Sequence, residues 1–128
     1  MGGFLYVRND LDGKASCKKA LSVFNKKEML LNKCIRNNSF SIYVYYKISR
    51  KTENVLLFEN GDFIVATGTF IYENKTGLPA LKEIYDAFDE SKKVFSRLSG
   101  YYGFLIYKAN MLYLFNDELG LYHIFANH

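Results

Sequence analysis

The stretch LSGYYGFLIYKANMLYLFN, from Leu98 to Asn116, constrains the fold more than any other part of this chain. Two runs rich in aromatic residues flank Ala109-Asn110, the pattern of a hairpin closed by a two-residue turn. A polar break follows, Asn116-Asp117-Glu118-Leu119-Gly120, and aromatic residues resume at once from Tyr122 to Phe125, which reads as a third strand. In such a break an aspartate can accept amide hydrogen bonds, and a glycine adopts backbone angles that other residues resist. Asp117 and Gly120 are therefore read as structural.

Upstream, Phe40–Ile48 and Asp62–Glu73 have strand composition, and Asn-Val-Leu-Leu-Phe-Glu leads into Asn60-Gly61, a hairpin signal. Gly68, inside the second of these strands, marks a bulge or a close backbone approach. Cys17, Ala20, Leu21 and Phe24 recur with helical spacing, and so do Leu81, Ile84, Tyr85 and Phe88 after Pro79. A further helix is expected from about Lys27 to Arg36, with Leu30, Leu31, Cys34 and Ile35 inward. Asn9-Asp10, Asp12-Gly13 and Asn74–Gly77 read as turns or loops, and Asp89-Glu90-Ser91 as a break before Val94, Phe95 and Leu98. Helices grouped apart from antiparallel strands indicate an α+β fold.

At 128 residues, residues 1–128 are expected to form a single domain, and 17% aromatic content argues against disorder. No apolar run is long enough to cross a bilayer, and Arg8, Asn9 and Asp10 interrupt the opening run, so no signal peptide and no membrane partner are expected. Cys17 and Cys34 lack a Cys-x-x-Cys partner. They point to a reducing, cytoplasmic setting and read first as small core residues. With only His123 and His128 available, no metal site is expected. Charge is uneven: residues 1–51 hold 11 Lys/Arg against 3 Asp/Glu, and residues 52–128 hold 6 against 10. The basic residues do not interleave with aromatics as a nucleic-acid surface would, so a solvated helix face is the simpler reading.

Leu98-Ser99-Gly100, the strand Tyr102–Tyr107, the turn, Leu112–Phe115, Asp117-Glu118-Leu119-Gly120 and Tyr122–Phe125 together resemble the closing signature of a known family. This is the class II, N-terminal-nucleophile glutamine amidotransferase domain of the asparagine synthetases. The opening MGGFLYV is similar to the family's Met-Cys-Gly-Ile-Phe-Gly-Val, and Leu81–Phe88 stands where the family has a helix before its signature. The resemblance implies an Ntn-hydrolase-like αββα sandwich of two mainly antiparallel sheets flanked by helices, reduced in size, with the chain's start at the end of a central strand. Gly100 joins Asp117 and Gly120 as its structural motif.

The family's chemistry needs a nucleophile whose own terminal amine acts as base. Here Gly2 holds that position, with neither sulfur nor hydroxyl. A native glycine and a replaced cysteine would give the same sequence. The family's Asn-Gly-Glu strand motif aligns with Thr67-Gly68-Thr69, its helix-preceding Asp falls near Thr76-Gly77, and Arg36 lies roughly where the family has a substrate-binding Arg. Gly3, Thr67, Gly68, Thr69 and Gly77 are the candidates for a vestigial cleft. His123 reads as an ordinary strand residue.

The resemblance thus implies a catalytically inactive scaffold or docking module with no cofactor of its own, whose partner is a protein or peptide. A C-terminal synthetase domain is the partner it points to, and ATP and magnesium would belong there. The alternative is a free-standing protein-binding domain of inhibitor or immunity type, to which abundant tyrosine is suited. An active thiol hydrolase using Cys17 or Cys34 is the third and most distant reading.

Overall fold

The structure is a computed structural model that describes residues 2–47, 49, 53–89 and 91–125. Met1, Ile48, Glu90 and His128, which figure in the sequence reading, lie outside them. The chain divides into two compact units, Met1–Thr52 and Glu53–His128. Among the described residues each contains one antiparallel sheet and one α-helix, so the fold is α+β.

In the first unit, β1 (Gly2–Arg8) runs into α1 (Leu11–Lys26), followed by β2 (Met29–Arg36) and β3 (Phe40–Lys47). Asp10 caps α1, its carboxylate accepting from the Gly13 amide at 2.7 Å, so the turn expected at 9–13 is spent on starting the helix. The sheet order is β1-β3-β2. Phe24 of α1 stacks on Tyr45 of β3 with ring centroids 4.5 Å apart.

Residues 27–36 do not form the expected helix; all but the first two lie in β2. The register of β2 on β3 slips between Leu31 and Lys33, so Asn32 is an extra residue in a bulge. The bulge breaks the two-residue alternation. Apolar positions 30, 31, 34 and 35 then imitate helical spacing, although Leu30 and Leu31 are 44% and 51% exposed.

The second unit orders its strands β4-β5-β6-β7: β4 (Val55–Leu57), β5 (Phe63–Tyr72), β6 (Leu98–Lys108) and β7 (Met111–Asn116). The expected turn forms, with Ala109 and Asn110 both at positive φ (52° and 62°), as a right-twisting two-residue hairpin requires. Between β5 and β6 lie α2 (Gly77–Ala87) and a short 3-10 turn, Lys93–Arg97.

Ala80, Leu81, Ile84 and Tyr85 of α2 join Ile64, Phe104 and Ile106 of the sheet in one buried cluster. Full burial of each large side chain is worth roughly 1.5–3 kcal/mol. Tyr85 stacks on Phe58 at 3.9 Å between centroids. Its buried hydroxyl donates to Asp62. Burial, followed by that neighbouring carboxylate, pushes the Tyr85 hydroxyl pKa up. The last carbonyls of α2 are satisfied by Lys108 Nζ, 2.6 Å from Tyr85 O and 2.9 Å from Phe88 O.

Gly68 is a close backbone approach, as its place in the strand suggested. A Cβ there would stand 2.0 Å from Tyr101 O, and one at Gly100 would stand 2.1 Å from Thr69 O. The two glycines let β5 and β6 cross tightly where their pairing joins Gly68 to Tyr102 and Phe70 to Gly100.

Candidate functional site

A pocket of about 420 Å³ opens in the first unit where β1 ends, α1 begins and the β2–β3 hairpin turns. Its framework is made by asparagines. Asn9 Nδ2 donates to Asn37 O at 2.7 Å and Asn9 Oδ1 accepts from Ser41 Oγ at 2.9 Å. Asn37 Oδ1 accepts from the Ser39 and Phe40 amides at 2.8 and 2.9 Å, which tightens the hairpin. With those amides committed to the scaffold, the lining presents Arg8, Lys14, Arg36, Asn38, Cys17 and Tyr43.

The register explains the meeting. Cross-strand partners share a face, so Cys34 lies beside Tyr43, and Arg36 beside Ser41. The Arg36 guanidinium sits 6.0 Å from the Tyr43 ring centroid. Cys34 and then Tyr43 hold it more firmly protonated than usual. Burial, then a hydrogen bond with Cys17, pushes the Tyr43 hydroxyl up, while Arg36 works against that shift. Arg8 is bridged to Asp10 at 3.1 Å; among the described residues neither Lys14 nor Arg36 has a carboxylate partner. Cys17 and Cys34 are half-buried and face polar groups, not the closed apolar core the sequence suggested.

The residues the sequence singled out fall elsewhere. Gly2 begins β1 opposite Tyr46, and among the described residues β1 pairs with β3 alone, so it is an edge strand of its sheet and not a central one. The β2–β3 hairpin takes the remaining side of β3. Gly3 follows opposite Tyr45, where a Cβ would come within 3.0 Å of the Phe24 ring. Arg36 stands level with Ser41 and Val7, roughly 16 Å along the strand from Gly2 at 3.3 Å per residue. It does not face the opening glycine.

In the second unit, Thr67, Gly68 and Thr69 pair with Gly103, Tyr102 and Tyr101, and Gly77 opens α2 at φ 64°. Thr67 is buried, and its hydroxyl lies 2.6 Å from the Tyr122 hydroxyl. Tyr122 and Ile124 lie over Gly103, their side chains within 3.3 Å of where its Cβ would be. Thr67 is therefore covered by the chain's own closing segment, whereas Thr69, two residues further along β5, is exposed.

That closing segment is held by Asp117. Its carboxylate accepts from the Leu121 amide at 2.9 Å and the Tyr122 amide at 2.6 Å, while Gly120, at φ 63°, donates to Asp117 O at 2.9 Å. Asn116 Nδ2 donates to Tyr122 O at 3.1 Å. Tyr122 thus has both backbone groups taken by side chains, and Tyr122–Phe125 forms no third strand. Burial opposes charge on Asp117, but the amide hydrogen bonds outweigh it and hold the carboxyl below the ordinary range. His123 is exposed, its ring 6.2 Å from that of Phe125.

Of the pocket's residues, Asn9 and Asn38 read only as turn or helix-end residues, Ser41 and Tyr43 only as strand residues, and Lys14 only as part of the basic bias of the first 51 residues. Among the described residues no group of three or more His, Cys, Asp or Glu side chains could hold a metal ion, and no helix is long and apolar enough to cross a membrane. Comparison with family models, with curated proteins and with solved structures returns no match.

Proposed function

We propose that this chain is a catalytically silent domain on an amidotransferase-like scaffold, serving to dock or support an ATP-dependent amide-forming partner. The proposal includes the finer fold assignment, an Ntn-hydrolase-like αββα sandwich reduced in size. Its main support is the state of the strand that would bind substrate. Thr67 stands where the family has Asn, and its hydroxyl is engaged by Tyr122. Gly2, at the other key position, offers no nucleophile.

The native reading frame and its neighbours test this reading. It expects a nucleotide-binding synthetase domain, either continuous with this chain or encoded beside it and forming a complex with it when co-expressed. Neighbours without such a domain, or one that elutes separately from this chain on a sizing column, would contradict it.

One observation favours a second reading. β1 lies at the edge of its three-stranded sheet, and a sheet edge is where another chain can add a strand. A free-standing protein-binding domain would use that edge. A stop codon directly after His128 in the native gene, with no synthetase nearby, would favour it.

A further inference from the structure

The pocket at the far end of β1 from Gly2 is unused by either reading. It combines two cations that have no carboxylate partner among the described residues, Lys14 from α1 and Arg36 from β2, in one lining with Tyr43 and Asn38. Its volume of about 420 Å³ lies in the range of small-molecule sites. Leaving two like charges to converge on a concavity costs free energy unless an anion joins them. Of the side-chain acceptors there, Asn9 and Asn37 hold the hairpin, and the neighbouring Asp10, outside the lining, caps α1 and bridges Arg8.

We infer that this pocket binds a small phosphate-bearing ligand. Arg36 presents its planar fork to two phosphate oxygens, and Lys14 supplies the opposing point charge. Arg36 lines the pocket with its guanidinium 6.0 Å from the Tyr43 ring centroid, a contact that limits its side-chain freedom before binding. Cys17 lines the pocket, whereas Cys34 supports Arg36 from outside the lining, so a bound ligand should cover one thiol and not the other.

The test titrates the full chain with inorganic phosphate and with pyrophosphate, followed by calorimetry and by alkylation rates at each cysteine. Saturable binding is expected that weakens between about 50 and about 200 mM salt. Lys14→Gln and Arg36→Gln should each weaken it about tenfold. Lys82→Gln, the same charge change in the second unit, should leave it unaltered. Pyrophosphate should slow alkylation of Cys17 and leave Cys34 unchanged. Lys14 is exposed, so its variant carries the test even if Arg36→Gln folds poorly. No saturation by about 10 mM of either anion, equal weakening by all three variants, or equal protection of both thiols would overturn the inference.

Discussion

The two units meet one task, covering a face of an antiparallel sheet with a single helix, in different ways. In the second, α2 buries Ala80, Leu81, Ile84 and Tyr85 in a cluster dense with aromatic contacts, among them Phe104 against Phe70, Tyr102 and Phe115. In the first, the apolar positions of α1, Cys17, Ala20, Leu21 and Phe24, are only half-buried, and Val23 is 50% exposed. The first unit also carries most of the positive charge. The difference lies in the helix faces: α2 is closed into a core, whereas α1 leaves its apolar positions half-buried beside a polar, cationic surface.

Core truncation should show this contrast most strongly. Phe104→Ala is expected to destabilise the chain by about 3–5 kcal/mol, as complete loss of a buried ring does. Phe24→Ala, which removes a half-buried ring stacked on Tyr45, should cost about 1–2 kcal/mol. Urea denaturation of both variants measures the order, and a larger loss at Phe24 would break the comparison.

Glycine replacements inside the second unit sharpen it. At Gly100 the backbone conformation alone costs roughly 1–3 kcal/mol for an alanine. Its Cβ would also collide with Thr69 O, 2.1 Å away, so β5 or β6 must move. Gly61→Ala pays only for its positive φ, since nothing lies within 4 Å of the added carbon. Gly100→Ala should therefore unfold at clearly lower denaturant than Gly61→Ala; equal midpoints would show that the β5–β6 crossing is not tight.

A smaller effect follows from Asp117. Its carboxyl is held below the ordinary range in the folded chain, so its contribution is present above the unfolded value and lost as pH falls through the folded one. Melting temperature should decline on acidification below about pH 4. Asp117→Asn should lower the neutral melting temperature by about 5 °C and flatten that acid limb. An unchanged acid limb in the variant would mean that the charge on Asp117 does not hold the closing segment.

Legibility followed the same division. The second unit could be read because its signals are local: two aromatic strands, a two-residue turn, Asn60-Gly61 and a helical repeat after Pro79. The first unit hid β2 behind a bulge at Asn32, where the slipped alternation copied a helical face. Tyr122–Phe125 misled for another reason. Its composition is that of a strand, but side chains of Asn116 and Asp117 take the backbone groups a ladder needs. Pocket residues 9, 14, 38, 41 and 43 come from the β1–α1 turn, α1, the β2–β3 turn and β3, and meet only in the folded unit, which no short motif encodes.

The proposed function requires an amidotransferase-like scaffold without the means to hold or cleave glutamine. Titrating glutamine into the full chain by calorimetry, with ammonia release followed in parallel, tests it most directly. The account predicts neither saturable heat nor turnover, whereas saturable heat at micromolar glutamine, or ammonia released in proportion to enzyme, would contradict it.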